Sequence, residues 1–338
     1  MFKGDINPPK GSGISYRYEH YYCDFVEVIA LVNSGDIVTL SDIKYRFQKD
    51  VDLNIDSNEE MEIITDDENC FSEMTQGGRY FADVSDKWDE RIESWFSILK
   101  NRNSLYGMGY PFTIKGNSIQ LKKNLSTKAK SYIFLLACSM LDKFETPDKL
   151  TSTYELICAK AMKNYLPVIA QVHIFGKSSL SSPRYQGSKF AKIEKLSKDL
   201  GIKHIFDETD YNPTDNGDGG LDIVAWIPFK NDINKSKIDV YIGQCASGKD
   251  WIKKQEEPRK IIEPLPQLKD AKKIIFIPYD IRSSDSGFFH KTELTASLVI
   301  DRYRTYILLN NISDSWFFST TNIKELVANI ISYRESLF

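Results

Sequence analysis

The sequence predicts a mixed α/β (α+β) protein with a mainly helical first half and a sheet-bearing second half. Three observations lead there. Apolar residues recur at helical spacing through much of residues 20–147, short apolar runs bounded by turn residues appear after 148, and helices and strands are interspersed in that second half. A chain of 338 residues with 41% apolar, 27% charged, 18 Tyr and 19 Phe has the material for two cores.

The leader "MFKGDINPPKGSG" has no apolar centre, so no secretory signal is expected. "CDFVEVIALVNSG" and "TLSDIKYRF" read as helix, short turn, helix. That unit suits either plain packing or a winged-helix reader of DNA. Residues 50–69 hold nine acids and no Lys or Arg, the signature of a solvated acidic loop. In "DKWDERIESWFSILKNRNSLYG", Trp88, Ile92, Trp95 and Leu99 make an apolar helical stripe. "YPFTIKGNSIQLKKN" reads as a hairpin turning at Gly116-Asn117, and "TKAKSYIFLLACSMLDKF" as a further helix. Its apolar run, 132–141, is too short to cross a bilayer. The pattern resets at 145–152, which divides the chain into a mainly helical accessory domain, 1–147, and a second domain, 148–338.

The second domain opens with the helix "TSTYELICAKAMKNYL" and the strand "PVIAQVHIFG". "QGSKFAKIEKLSKDLG" is a helix closed by Gly201, followed by a short strand "IKHIF" and the polar loop "DETDYNPTDNGDGG". "LDIVAWIPF" and "IDVYIGQCAS" face each other as strands, "KDWIKKQEEP" is compatible with helix, and "AKKIIFIPYD" is a buried strand. "DRYRTYILLNN" and "NIKELVANIISYRESL" close the chain as helices, with Arg302 and Arg304 expected in helical charge pairs.

A formal net charge of -3 excludes bulk attraction to nucleic acid and leaves room for a local positive groove. Cys23, Cys70, Cys138, Cys158 and Cys245 show no C-x-x-C pair, which favours reduced thiols in a cytoplasmic protein. His20, His173, His204 and His290 show no metal spacing.

The stretch 243–249, "GQCASGK", has the G-x-x-x-x-G-K spacing of a phosphate loop. Asp250 stands where that loop needs a hydroxyl for magnesium, and the βα units that should follow are missing, so a nucleotide site is not expected. Strand alternation offers other chemistry. Asp222, Val224 and Trp226 share one face, as do Ile238, Val240, Ile242 and Gln244 on the partner strand. A carboxylate and an amide then converge at one end of the pair, where a hard divalent cation takes oxygen ligands.

With these residues the sequence resembles the PD-(D/E)XK superfamily of restriction-endonuclease-like nucleases, and within it the Mrr-like members, across roughly 150–280. "GDGGLDIVAW" resembles the second motif, with Asp222 as metal ligand, and "GQCASGK" the third, with Gln244 in the D/E position. Glu155 in "TYELICAKA" resembles the helical Glu, with Glu194 as the alternative. The family's Lys belongs two residues after the D/E position, where this chain has Ala246; Lys249 is the displaced candidate, with Lys253 and Lys254 behind it. The resemblance implies a restriction-endonuclease-like mixed-sheet core flanked by helices. It also implies Mg2+ or Mn2+ held by Asp222, Gln244 and Glu155, and hydrolysis of DNA in restriction or antiviral defence. Alternatives stand beside it. Asp222 can cap a turn, Gln244 can be a satisfied buried amide, and a degenerate nuclease fold can serve as a binding or interaction subunit with a protein partner or second copy.

Overall fold

The computed structural model describes residues 2–3, 19–35, 37–52, 77–175, 184–212, 217, 219–233, 235, 237–289, 291–309 and 323–335, without the side chains of 48–52 and 77–88. Most of the acidic loop, Cys70, Asp218, His290 and the Trp88 side chain lie outside the described residues. The chain forms two compact units. Unit 1 takes Met1–Glu145, Tyr279–His290 and Glu325–Phe338; unit 2 takes Thr146–Pro278 and Lys291–Lys324. A division at 147/148 places both later stretches of unit 1 in the second domain. Nothing local marks their membership, because it is set by partners far away in sequence.

Unit 1 runs α1 (Glu19–Val32), β1 (Ile37–Thr39), α2 (Leu40–Asp52), α3 (Gly77–Tyr106), β2 (Phe112–Lys115), β3 (Ser118–Leu121) and α4 (Thr127–Ser139). The expected helix, turn, helix is therefore helix, strand, helix. β1 joins the β2–β3 hairpin in an antiparallel sheet of order β1-β3-β2. Thr39 and Asp42 start α2 reciprocally: the Thr39 amide donates to Asp42 Oδ2 (2.8 Å) and the Asp42 amide to Thr39 Oγ1 (3.3 Å). Gly116 sits at φ 57°, the left-handed position the expected turn needs. The α3 stripe is core: Ile92, Trp95 and Leu99 are buried, and Trp95 stacks on Tyr22 at 4.9 Å.

Helix α1 is buried along its whole length although it carries Asp24 and Glu27. Arg102 of α3 accounts for this. Its Nη1 donates to Asp24 Oδ1 (2.7 Å) and Glu27 Oε2 (2.9 Å), and its Nη2 to the Asp280 carbonyl (3.2 Å). Hydroxyls fill the remaining acceptors: Ser139 on Asp24 (2.7 Å), Tyr110 (2.7 Å) and Tyr132 (2.8 and 2.9 Å) on Glu27, and Tyr106 on Asp280 (2.8 Å). Burial alone would lower the Arg102 guanidinium; Glu27 and Asp24, then Tyr132 and Asp280, outweigh it and hold the group well above its ordinary value.

Unit 2 runs α5 (Pro147–Tyr165), β4 (Gln171–Ile174), α6 (Lys189–Leu200), β5 (Ile223–Trp226), β6 (Val240–Cys245), α7 (Trp251–Lys254), α8 (Arg259–Ile262), β7 (Lys272–Phe276), β8 (Leu298–Ile300) and α9 (Arg302–Leu309). A last helix, α10, spans Ile323–Ser332. The sheet has the order β4-β5-β6-β7-β8. β4–β5 and β5–β6 are antiparallel; β6–β7 and β7–β8 are parallel. Phe175, Ile193, Leu196, Leu200, Val224, Trp226 and Ile242 form one core that joins α6 to the sheet. Ser188 caps α6, and Gly201 ends it at φ 62°.

Two strand readings change. "IKHIF" pairs with no strand. Its His204 is instead tied to Glu194 (3.1 Å) and Tyr211 (2.8 Å), while the Ile205 amide donates to the Pro264 carbonyl. β8 is an addition; with three residues it is too short to stand out against the helix that follows. Among the described residues no helix is long and apolar enough to cross a membrane.

Candidate active site

The sheet of unit 2 brings Asp222 and Gln244 together at one end of the β5–β6 pair. The register pairs Ile223 with Gly243, which sets Asp222 opposite Gln244, one rung on. The turn before Asp222 depends on two glycines, Gly219 at φ 65° and Gly220 at φ 76°. A Cβ on Gly220 would lie 2.7 Å from the Glu257 carbonyl oxygen, so only glycine lets the chain pass this close.

Asp222 closes the ladder on both sides. Its carbonyl accepts from the Phe175 amide (2.7 Å) and its amide donates to the Gly243 carbonyl (3.0 Å). Its carboxylate Oδ2 accepts from the Cys245 amide at 2.6 Å, where a regular ladder would offer a backbone carbonyl. The capping reading of Asp222 is thus true of one oxygen. The same bond fixes the orientation of the carboxylate, as a ligand position requires.

Gln244 is 5% exposed, and its Oε1 has no hydrogen-bond partner among the described residues. The reading of Gln244 as a satisfied amide fails at that atom. An unmatched buried carbonyl costs about 1–3 kcal/mol, which a cation or donor on that oxygen would offset. Gln244 follows Ile242 on the side packed by α6.

Glu155 reaches the same strand end from α5. The next strand residue, Cys245, faces α5: burial first, then a hydrogen bond with Cys158 and the nearby Asp222 and Glu155 charges, push its thiol well up. A thiol raised in this way stays neutral, which suits Cys245 to packing against α5. Asp222 and Gln244 lie on the α6 side of the sheet and Glu155 on the α5 side, so the structure brings the first two together and sets Glu155 across the strand from them. Glu194 is committed elsewhere: Lys198 (2.9 Å) and His204 (3.1 Å) hold it, and both lower its pKa. His173 is half-buried against Trp226 and Tyr185.

Lys249 lies beyond the strand, exposed in the turn at 248–250, and Lys253 and Lys254 follow on α7. Ala246 continues the ladder by donating its amide to the Phe276 carbonyl, and it is fully buried. Helix α6, packed on the Gln244 side of the sheet, carries two lysines outside the motif reading. Lys192 is 6% exposed, and Lys189 Cε lies 3.7 Å from where a Gly219 Cβ would stand. Their signal was in the sequence: Lys189, Lys192, Ile193 and Leu196 share one helical stripe.

Among the described residues no three His, Cys, Asp or Glu side chains group as a metal site. A centre here would need the Gln244 amide oxygen beside carboxylate oxygen, a donor set suited to a hard cation. Compared with known proteins, the chain matches no family model, no curated protein and no solved structure.

Proposed function

We propose that unit 2 is a metal-dependent endonuclease of the PD-(D/E)XK type, hydrolysing DNA phosphodiesters in cytoplasmic restriction or antiviral defence. The observation that carries this reading is the buried, unmatched Gln244 Oε1 opposite a carboxylate whose orientation is fixed by a backbone amide. The sheet order, with two antiparallel pairs followed by parallel pairs and helices packed on the sheet, supports it as a mixed-sheet core.

Asp222 and Gln244, which share one side of the sheet, would hold Mg2+ or Mn2+, which when bound polarises a phosphodiester and lowers the pKa of an attacking water; Glu155, on the α5 side, would join them only around the end of β6. The chain's own tasks are positioning and charge. The Cys245 amide keeps Asp222 aimed, and the buried setting of Gln244 keeps bulk water from replacing its partner. A lysine ammonium opposes negative charge as it develops on the phosphoryl oxygens. Lys249 is the choice by motif, and Lys192 is the choice by burial.

The test is digestion of supercoiled plasmid with Mg2+ by the wild type and by Asp222→Asn. Cleavage should fall at least about a hundredfold, equivalent to about 2.7 kcal/mol of barrier, with the thermal midpoint unchanged because Asn still accepts from Cys245. Equal nicking by the two proteins would remove the reading. Ala246 in the family's lysine position motivates a second one, a degenerate nuclease that binds DNA or a protein partner. DNA retention with no metal-dependent cleavage selects it.

A further inference from the structure

We infer that unit 1 carries a docking face for the phosphate backbone of duplex DNA, formed by the β2–β3 hairpin and the chain from 122 to 130. The face lies outside the proposed cleavage site and does not rest on the nuclease reading.

The first ground is charge. The chain has 47 acids, so an even spread would place one in roughly every seven residues. Residues 94–141 nevertheless contain no Asp or Glu, while they contain Lys100, Arg102, Lys115, Lys122, Lys123, Lys128 and Lys130. Arg102 is consumed inside the unit, but Lys100, Lys115, Lys123 and Lys128 are exposed. The stretch keeps Lys and Arg at about the chain's ordinary frequency but has lost every acid, so it is locally positive in a protein of net charge -3.

Register supplies the second ground. Phe112 pairs with Leu121 and Ile114 with Ile119 on the inward face, where Phe112 and Ile119 are fully buried. The alternate residues, Thr113 opposite Gln120 and Lys115 opposite Ser118, form the outward face. β1 extends that face with Thr39 opposite Ser118 and Ile37 opposite Gln120. The Thr113 hydroxyl, the Gln120 amide and the Lys115 ammonium are groups that meet phosphate oxygens in DNA complexes, whereas the Ser118 hydroxyl donates to the Lys115 carbonyl (2.7 Å). Asp42, which follows β1, turns its Oδ2 to the Thr39 amide (2.8 Å) and hydroxyl (2.7 Å).

The chain after the hairpin is held firmly. Lys122 donates through its amide to the Pro111 carbonyl (2.9 Å) and through Nζ to the Tyr110 carbonyl (2.7 Å). Ser126 donates to the Met108 carbonyl (3.2 Å) and caps α4 through the Ala129 amide (3.1 Å). Lys123 and Lys128 therefore stand on fixed backbone. From Ser118 to Leu121 the strand extends about 10 Å at about 3.4 Å per residue. A duplex presents one negative charge about every 1.7 Å along its axis, so the face meets several phosphates at once.

The test is fluorescence anisotropy of a short labelled duplex with the full chain in EDTA over a salt series. Lys115→Glu/Lys123→Glu/Lys128→Glu should raise Kd at least about tenfold and reduce the slope of log K against log salt by about 2 to 3. The same three positions changed to Gln should shift both in the same direction by less, with an unchanged thermal midpoint. A triple Glu variant with the wild-type Kd and slope overturns the proposal, as does a wild type that binds phosphatidylserine vesicles but no duplex. Asp222→Asn separates the two proposals. Loss of cleavage with an unchanged slope leaves both standing, and intact binding without any wild-type cleavage removes only the nuclease.

Discussion

In unit 1, Asp24, Glu27 and Asp280 are enclosed around Arg102 and met by Ser and Tyr hydroxyls, whereas in unit 2 Asp222 stands opposite a glutamine whose oxygen has no hydrogen-bond partner among the described residues. Both clusters are polar and almost fully buried. In the first, Asp24, Glu27 and Asp280 each accept from Arg102 or a hydroxyl, with only Arg102 Nε left without a hydrogen bond among the described residues, and such buried networks hold a core in one arrangement. The second leaves a donor position to be filled from outside the described residues. Neither a buried carboxylate nor an unmatched buried atom marks a site by itself; the second cluster differs in setting an unmatched oxygen acceptor opposite a carboxylate.

The largest effect should come from opening the closed cluster. Arg102→Met keeps the bulk and removes the charge, leaving Asp24 and Glu27 buried without their cation. The loss should be about 3–5 kcal/mol in urea unfolding. A variant with near wild-type stability would break the comparison, since the cluster would then be no more closed than the other.

Removing the unmatched oxygen should do the opposite. Gln244→Leu deletes an unmatched acceptor, so unfolding free energy should stay within about 1 kcal/mol of wild type. Metal-dependent cleavage should nevertheless disappear. A clear destabilisation would mean that Gln244 Oε1 is matched in solution and that the contrast with Arg102 is false.

The smallest effect sharpens the comparison at a third carboxylate, Asp199 of α6. Arg184 grips it through two bonds of 2.7 Å, and Tyr185 donates to it at 2.9 Å. Burial pushes its carboxyl up, and the bonds from Arg184 and Tyr185 outweigh this and hold it below the ordinary value. A depressed carboxyl stabilises the fold fully above its unfolded pKa, and the contribution is lost as pH falls through the lower folded value. Asp199→Asn should therefore flatten the loss of stability in the acid range below about pH 4, read as thermal midpoint against pH. An unchanged acid profile would place the sensitivity elsewhere.

Local chemistry made much of this legible. Gly116 at the hairpin turn, Gly201 at the end of α6, and the stripe of Ile92, Trp95 and Leu99 sit where their residue types suggest, because turns, caps and helical faces are decided by neighbours in sequence. The alternation of Asp222 with Val224 and of Ile242 with Gln244 likewise follows from strand period alone. Other features were hidden. His204 reads as strand beside Ile202 and Ile205, yet Glu194 and Tyr211 hold it in an irregular segment. Lys192 looks like one of many helical lysines until the structure buries it.

By itself the sequence determined the periodic elements, the glycine-bearing turns and the carboxylate-amide pair at the end of one hairpin, since each depends on contacts a few residues apart. Only the tertiary structure decided that Tyr279–His290 and Glu325–Phe338 belong with the first unit. The same holds for Arg102 neutralising acids of α1, and for the Gln244 oxygen being buried without a match. These are matters of desolvation, and whether a polar atom loses water and what replaces it depends on residues that sequence distance does not reveal.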